Sequence, residues 1–190
     1  MDYSMKSKSA GKLGNFLSSF GAAVHLSQKA KTNGFFIEQV CLFANIIDGL
    51  LRLSLLIKEQ LDTKSDSINQ IYLFQSDQAK IISERRIYNI ALDKKIIGKR
   101  IFNQLESLYL LRNKIIHRYI ISGIKTLLLK KTAFEYDKMM DKVLEKHRPY
   151  HDKIVSKNIG LAKYLINNPT LDQITNQILK KHKGLYKKKP

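Results

Sequence analysis

The sequence predicts an all-α fold in which several long helices pack as a bundle. Only 3 prolines and 9 glycines occur among the 190 residues, so few positions would break a helix. Apolar residues recur at spacings of three, four and seven, which is the period of an amphipathic helix, and no stretch alternates with the period of a strand. At this length, one domain with a single core is expected over residues 13–183.

The first third of the chain predicts two helices after a lead-in. Residues 1–12 are expected to be a mobile, basic N-terminus. Residues 13–31 have an amphipathic pattern, and Asn33-Gly34 is a typical C-terminal cap. Residues 35–61 are apolar on nearly every face, which is typical of the central helix of a bundle. A polar loop is then expected over residues 62–67.

The middle of the chain predicts two further helices. Ser76 can cap a helix that runs to about Leu92. A turn over residues 93–98 then leads into a long helix over residues 99–121, and Ser122-Gly123 ends that helix.

The last third of the chain predicts shorter helices. Thr132-Ala133-Phe134-Glu135 matches a capping box and so predicts a helix that starts there and ends near residue 146. Pro149 predicts an end or a kink, with helix resuming over residues 150–166 and a weak point at Gly160. A second capping box at Thr170 predicts a short last helix, and residues 184–190 are expected to form a basic tail.

Positive charge is the strongest compositional signal. The formal net charge is +18, and residues 76–131 carry thirteen Lys or Arg against four Asp or Glu. A basic patch attracts polyphosphate, so the expected partner is nucleic acid. Lysine-rich coding bias is the alternative explanation, although it does not account for the shortage of acidic residues in the same segment.

Other features point to a cytoplasmic protein. The single Cys41 excludes an internal disulfide framework and a cysteine zinc site. The most apolar stretch, residues 35–57, is interrupted by charged and amide side chains, so no membrane span or membrane partner is expected. Residues 13–26 are too polar for a good secretory signal. We expect no cofactor and no metal, because His147 and His151 have helical metal-ligand spacing but no third ligand near them.

The predicted helix over residues 99–121 contains the residues that carry chemistry. Arg112 falls on its apolar row, where a guanidinium requires an anion such as the carboxylate of Asp48 or a substrate phosphate. Asp48 can instead pair with Arg52, four residues later. His117 lies five residues after Arg112, roughly 140° away around an ideal helix. The two can therefore meet one ligand only if Arg112 extends outward or a second subunit completes the pocket.

The spacing of Arg112 and His117 is weak evidence alone, but Asn113 and Tyr119 make the pattern specific. Arg112-Asn113-(x3)-His117-x-Tyr119 resembles the R-N-x-x-x-H-x-Y signature of HEPN domains, particularly the toxin half of nucleotidyltransferase–HEPN pairs. The resemblance covers about residues 35–125, so the helices on either side are additions to a HEPN-like bundle. It also includes three shorter stretches: Ile46-Ile47-Asp48, Ile87 to Ala91, and Lys95-Ile96-Ile97.

The resemblance implies a metal-independent endoribonuclease, a toxin or defence effector, that acts as a homodimer with a composite site. RNA supplies its own nucleophile, the 2′-hydroxyl, and the product would be a 2′,3′-cyclic phosphate. His117 would transfer protons, Arg112 would hold the phosphate, and Asn113 would orient either of them. Tyr119 would be a site where a partner nucleotidyltransferase, the antitoxin, attaches AMP, or a residue that lines the site. Asp48 would contact the site residues without contacting RNA itself.

Non-enzymatic alternatives remain open at the level of sequence. Arg112 can be a structural ion-pair residue, His117 an ordinary helix histidine, and Tyr119 a packing residue. The chain would then be a HEPN-fold module that binds RNA or another protein without cleavage. In either case the predicted RNA-binding cations are Lys94, Lys95, Lys99, Arg100, Lys114 and Arg118.

Overall fold

The computed structural model describes residues 3–73 and 82–163, with side chains from residue 11 onward, and this part of the chain is helical without any strand. The predicted all-α class is confirmed. The elements follow in the order α1 (Tyr3–Asn33), α2 (Phe36–Thr63), a 3-10 helix (Gln70–Tyr72), α3 (Glu84–Asp93), α4 (Lys99–Arg118) and α5 (Thr126–Lys157).

Helix α2 is the centre of the bundle. It packs most extensively against α5 and α1, and also contacts α3 and α4. Its second half is buried on every face from Gly49 to Ile57, which confirms the predicted central helix. By length and composition alone α2 could cross a membrane, but 78% of its most apolar window is buried by the rest of the chain. The apolar character of α2 is thus accounted for by packing within the bundle.

Helix α1 begins earlier than predicted. It starts at Tyr3, so residues 3–12 extend the helix rather than forming a separate lead-in. These residues include no proline, and the intrinsic propensities of Met, Lys, Ala and Ser are compatible with a helix. The C-terminal cap at Gly34 is confirmed, because its backbone has φ +69.

Helix α3 begins later than predicted. The residue that caps it is Ser83, whose hydroxyl accepts a hydrogen bond from the Arg86 backbone N–H at 3.3 Å. Residues 82 and 83 are not helical, so the prediction of one continuous helix from Ser76 to Leu92 is wrong; Ser76 itself lies outside the described residues. The turn before Lys99 is as predicted, and α4 ends at Arg118, three residues before the predicted end.

Helix α5 corrects the prediction for the last third. It is one continuous helix, and Thr132 lies within it rather than at its start. The Thr132 hydroxyl donates back to the Leu128 carbonyl at 2.7 Å, an alternative that Thr side chains have inside helices. Pro149 lies within α5 without ending it. An interior proline costs about 3 kcal/mol, which burial of α5 side chains on both sides of it, such as Val143 and Ile154, offsets.

The end of α5 lies three residues before the predicted weak point. Asn158 closes the helix in a left-handed conformation, and Gly160 follows with φ +52. The side chain of Gln60 fills the space beside Gly160 and accepts a hydrogen bond from the Leu161 backbone N–H at 3.0 Å. The helix predicted after Thr170 and the predicted tail over residues 184–190 lie outside the described residues.

Candidate functional site

One face of α4 is exposed along the whole helix and is basic. Lys99 and His117 are 18 residues apart, as are Arg100 and Arg118, and this spacing is about five complete turns at 3.6 residues per turn. The members of each pair therefore share a face, separated by roughly 27 Å along the axis. Lys114 lies on the same face, and all five side chains are exposed.

The one acidic residue of α4 is Glu106, which lies seven residues after Lys99 and therefore borders the same face. Glu106 is bound by the exposed Arg85 of α3, with 2.5 Å between Arg85 Nη2 and Glu106 Oε2. The only carboxylate of α4 is therefore already paired with a cation of α3. All six predicted RNA-binding cations are exposed: Lys94 and Lys95 in the turn before α4, and Lys99, Arg100, Lys114 and Arg118 on α4 itself.

Arg112 lies on the opposite side of α4 and faces α3. Its guanidinium donates from Nη1 to Oε2 of Glu84, and its side chain is only 14% exposed. The guanidinium carbon lies 4.8 Å from the centre of the Tyr109 ring, a cation–π contact. Tyr88 donates its hydroxyl to the other oxygen of Glu84. Burial and the nearby Glu84 carboxylate raise the pKa of the Tyr88 phenol, so it remains a neutral donor.

The carboxylate that meets Arg112 is thus Glu84 and not the predicted Asp48. Asp48 accepts from Arg52 Nε at 2.6 Å, within α2. Arg52 also donates to the Ile82 carbonyl at 2.9 Å, which ties α2 to the segment before α3. Burial raises the pKa of Asp48, and Arg52 opposes that rise. Of the two sequence alternatives, the structure shows the pair within the helix.

The sequence pattern did not predict the contact between Glu84 and Arg112, because the two residues are 28 positions apart. The available signals were local: Glu84 follows a capping serine at the start of a helix, and Tyr88 is four residues further along. These positions indicate that Glu84 and Tyr88 share a face of α3. They do not indicate that this face meets Arg112.

Asn113 lies between Arg112 and the exposed row. Its side-chain oxygen accepts from Arg112 Nη2 at 3.1 Å and, more weakly, from Nε at 3.4 Å, which leaves the Nδ2 group to donate elsewhere. His117 follows four residues later and is exposed in the last turn of α4. The structure therefore brings Arg112 and Asn113 together and leaves His117 on another face. Tyr119 is half-buried directly after the helix.

Exposed apolar side chains follow and precede His117 in the sequence, and we call them the end patch: Ile116 of α4, Ile120 and Ile121 of the following loop, and Leu127 of α5. Ile120 is 95% exposed, Ile121 82% and Leu127 76%. A groove of about 500 Å³ lies between the start of α5 and the start of α2, and its lining includes Thr126 and Leu129. Such a concentration of exposed aliphatic surface is typical of an interaction site.

His147 is a buried histidine with a structural contact. Its Nδ1 lies 2.8 Å from the Ser54 hydroxyl, and its ring centre lies 6.2 Å from that of His151. Burial, together with the nearby His151, lowers the pKa of His147 to about 4, so the ring is neutral near pH 7. Among the residues that the structure describes, no three His, Cys, Asp or Glu side chains converge on a common point.

The fold and surface together define an all-α bundle with a basic helix face that contains one exposed histidine. No protein-family model matches the chain, and no curated protein or solved structure matches it. The likeness to HEPN domains therefore rests on the sequence pattern in α4 and the stretches before it.

Proposed function

We propose that the chain is a HEPN-type, metal-independent endoribonuclease that acts on cytoplasmic RNA as a toxin or defence effector. The observation that carries the proposal is the position of His117 on the exposed face of α4, with the exposed cations Lys114 and Arg118 as its neighbours. Such a row attracts the phosphate backbone, and a histidine within it can take part in proton transfer.

The reaction needs only groups that RNA and this face of two copies of the chain supply. The 2′-oxygen forms a bond to the adjacent phosphorus while the bond from phosphorus to the 5′-oxygen of the next nucleotide breaks. The 2′-hydroxyl proton passes to a base, and the leaving 5′-oxygen receives a proton from an acid. His117 can perform either transfer, and a second copy of His117 in a homodimer would perform the other.

The cations beside His117 would hold the scissile phosphate. Lys114 is three residues before His117 and four before Arg118, so the three side chains are neighbours on the surface of the helix. Asn113 Nδ2 would donate to the same phosphate, since Arg112 holds its oxygen. For Arg112 itself to contact RNA, its guanidinium would exchange the Glu84 carboxylate for a phosphate.

A partner nucleotidyltransferase remains part of the proposal. Tyr119 is close in sequence to His117 and only half-buried, so its hydroxyl could receive AMP. The added phosphate would place negative charge beside the basic row and thereby weaken RNA binding.

A second candidate function is RNA binding without cleavage. It is favoured by the contacts of Arg112, which is engaged by Glu84, Asn113 and Tyr109 and behaves as a structural residue in this arrangement. The two candidates predict the same dependence of binding on salt, and they differ in whether RNA is cut.

The decisive comparison is RNA cleavage in EDTA by the wild type, His117→Ala and His25→Ala. His25 is an exposed histidine on α1 and serves as the matched control. We expect His117→Ala to lose at least about 100-fold in cleavage rate, which is typical of a lost general acid or base, while His25→Ala retains the wild-type rate. Retained RNA binding in a filter assay would show that the fold and the basic face are intact.

Cleavage that survives His117→Ala would contradict the proposed role of this histidine. Salt-dependent binding without cleavage by the wild type would favour the second candidate. Absence of any nucleic-acid binding at low salt would contradict both candidates and indicate a protein-interaction module.

A further inference from the structure

A second groove, which we call the α4–α5 groove, lies on the same face of α4 as the exposed cations. Its volume is about 310 Å³, and α4 contributes Asn103, Gln104 and Ser107 to its lining. Asn103 is four residues after Lys99, and Ser107 is seven residues before Lys114, so uncharged polar side chains occupy the middle of the basic face. A strand of RNA that followed this face would cross the groove.

The part of the groove that α4 supplies presents hydrogen-bonding groups without charge. Asn103 is exposed, so both the oxygen and the nitrogen of its amide are accessible. Gln104 Oε1 accepts from Lys142 Nζ at 3.1 Å, which leaves the Gln104 amide nitrogen to donate to a ligand. The Ser107 hydroxyl donates to the Asn103 backbone carbonyl at 3.0 Å and keeps its oxygen as an acceptor. Paired donors and acceptors of this kind match the edge of a nucleobase.

Helix α5 adds a carboxylate to the other wall of the groove. Glu135 lines the groove, its side chain is 48% exposed, and its Oε1 lies 3.7 Å from Lys138 Nζ. A carboxylate repels phosphate, but it accepts a hydrogen bond from the exocyclic amino group of a base. The buried Met139 supplies an apolar part of the lining. The groove therefore fits a base better than a phosphate.

The carboxylate of Glu135 also distinguishes between bases. The Asn103 amide can pair with cytosine or, after rotation about its last bond, with uracil, because each base presents a donor next to an acceptor. Glu135 can only accept, so it favours a base whose exocyclic group is an amino donor and disfavours the uracil carbonyl.

We propose that the α4–α5 groove binds one unpaired base of the RNA and prefers cytosine or adenine, in which an amino group adjoins an acceptor ring nitrogen. The inference rests on the proposed function for the identity of the ligand as RNA. The bases of single-stranded RNA are free to turn out of the strand into such a site. Asn103 and His117 are 14 residues apart, roughly 21 Å along α4, a distance that about six stacked nucleotides span. The bound base would thus lie several nucleotides from the scissile phosphate.

The experiment compares the binding of two 2′-O-methyl oligonucleotides, one of twelve cytidines and one of twelve uridines, by fluorescence anisotropy at about 0.05 M salt. The probes have the same sugar and the same number of phosphates. Methylation blocks the 2′-oxygen, so the proposed reaction cannot cleave either probe. We expect the wild type to bind the cytidine probe at least about fivefold more tightly, the low end for one hydrogen-bonded base contact.

Three variants separate base contacts from phosphate contacts. Asn103→Ala is expected to bind the cytidine probe no more tightly than the uridine probe, whereas its matched control Asn89→Ala, at an exposed asparagine of α3, keeps the wild-type preference. Lys114→Ala is expected to weaken both probes by the same factor, as the loss of a phosphate contact does. Glu135→Gln is expected to strengthen the uridine probe relative to the cytidine probe, because a side-chain amide can donate to the uracil carbonyl.

Equal binding of the two probes by the wild type would overturn the proposal, and so would a preference that Asn103→Ala retains. An equal loss for both probes in Asn103→Ala would assign Asn103 to phosphate or sugar and would overturn it as well. Failure to bind either probe would overturn it together with RNA as the ligand. Cleavage is not measured, so equal binding leaves the ribonuclease proposal standing, and a failure to cut RNA leaves a measured preference for cytidine standing.

Discussion

The ion pair between Glu84 and Arg112 offers the sharpest perturbation of this fold. Glu84→Gln keeps the size of the side chain and removes its charge. Arg112 would remain 14% exposed and would lose its anionic partner, and Tyr88 would lose its carboxylate acceptor. The variant therefore tests whether the pair organises the junction of α3 and α4.

The expected loss of stability follows from burial. Removing one partner of a fully buried ion pair costs about 3–5 kcal/mol, and these two side chains are 14% and 15% exposed. We therefore expect a loss of about 2–4 kcal/mol in the free energy of unfolding. For a chain of this size, a loss of that magnitude lowers the melting temperature by roughly 5–12 °C.

The assay is urea unfolding followed by circular dichroism at about 222 nm, the helical signal, with the midpoint and slope compared between variants. The matched control is Glu106→Gln, which removes a carboxylate that pairs with the exposed Arg85 between the same two helices. We expect a clearly smaller loss for this control, because exposed pairs contribute little. The double variant with Arg112→Met should lose less than the sum of the single losses, since the pair then disappears as a unit.

The interpretation would be refuted if Glu84→Gln unfolded within about 0.5 kcal/mol of the wild type, the range of ordinary surface changes. It would also be refuted if Glu106→Gln were equally destabilising. Additive losses in the double variant would show that the two residues do not interact directly.

Two further predictions concern α5 and its end. Burial lowers the pKa of His147 from 6.5 to about 4, so the folded state favours the neutral ring. The contribution of this histidine to the free energy of unfolding should therefore be largest above pH 6.5. It should fall by on the order of 3 kcal/mol between pH 6.5 and 4, because the unfolded chain binds the proton first. Urea midpoints at pH 7 and 4.5 measure this, and His147→Gln, but not the exposed His151→Gln, should remove that part of the pH dependence. Gly160→Ala should destabilise by about 1–3 kcal/mol, because the added methyl group would meet the Gln60 side chain at 2.4 Å and the backbone has φ +52. Gly123→Ala, where nothing lies within 4 Å, should be nearly neutral in the same thermal melt.

Features with a local cause could be predicted from the sequence. The exposed row of α4 follows from helical spacing, and so does the divergence of Arg112 from His117 around the helix. The pair between Asp48 and Arg52 is a contact between residues four apart, which a sequence pattern indicates directly. The central position of α2 follows from its apolar residues on nearly every face.

Features with a distant cause could not be predicted. Thr132 and Pro149 both indicate a helix boundary locally, but packing of α5 along α2 keeps the helix continuous through them. The partner of Arg112 depends on which residue of α3 faces α4, and that is decided by the packing of the two helices. The identity of Glu84 as that partner therefore required the three-dimensional structure.

The proposal that this protein cleaves RNA through the 2′-hydroxyl is tested most directly with a DNA oligonucleotide that contains a single ribonucleotide. In EDTA, the wild type should cut only after that ribonucleotide, and mass spectrometry should identify a 2′,3′-cyclic phosphate on the upstream product. Cleavage at deoxynucleotide positions, or an upstream product that ends in a free 3′-hydroxyl, would contradict the account.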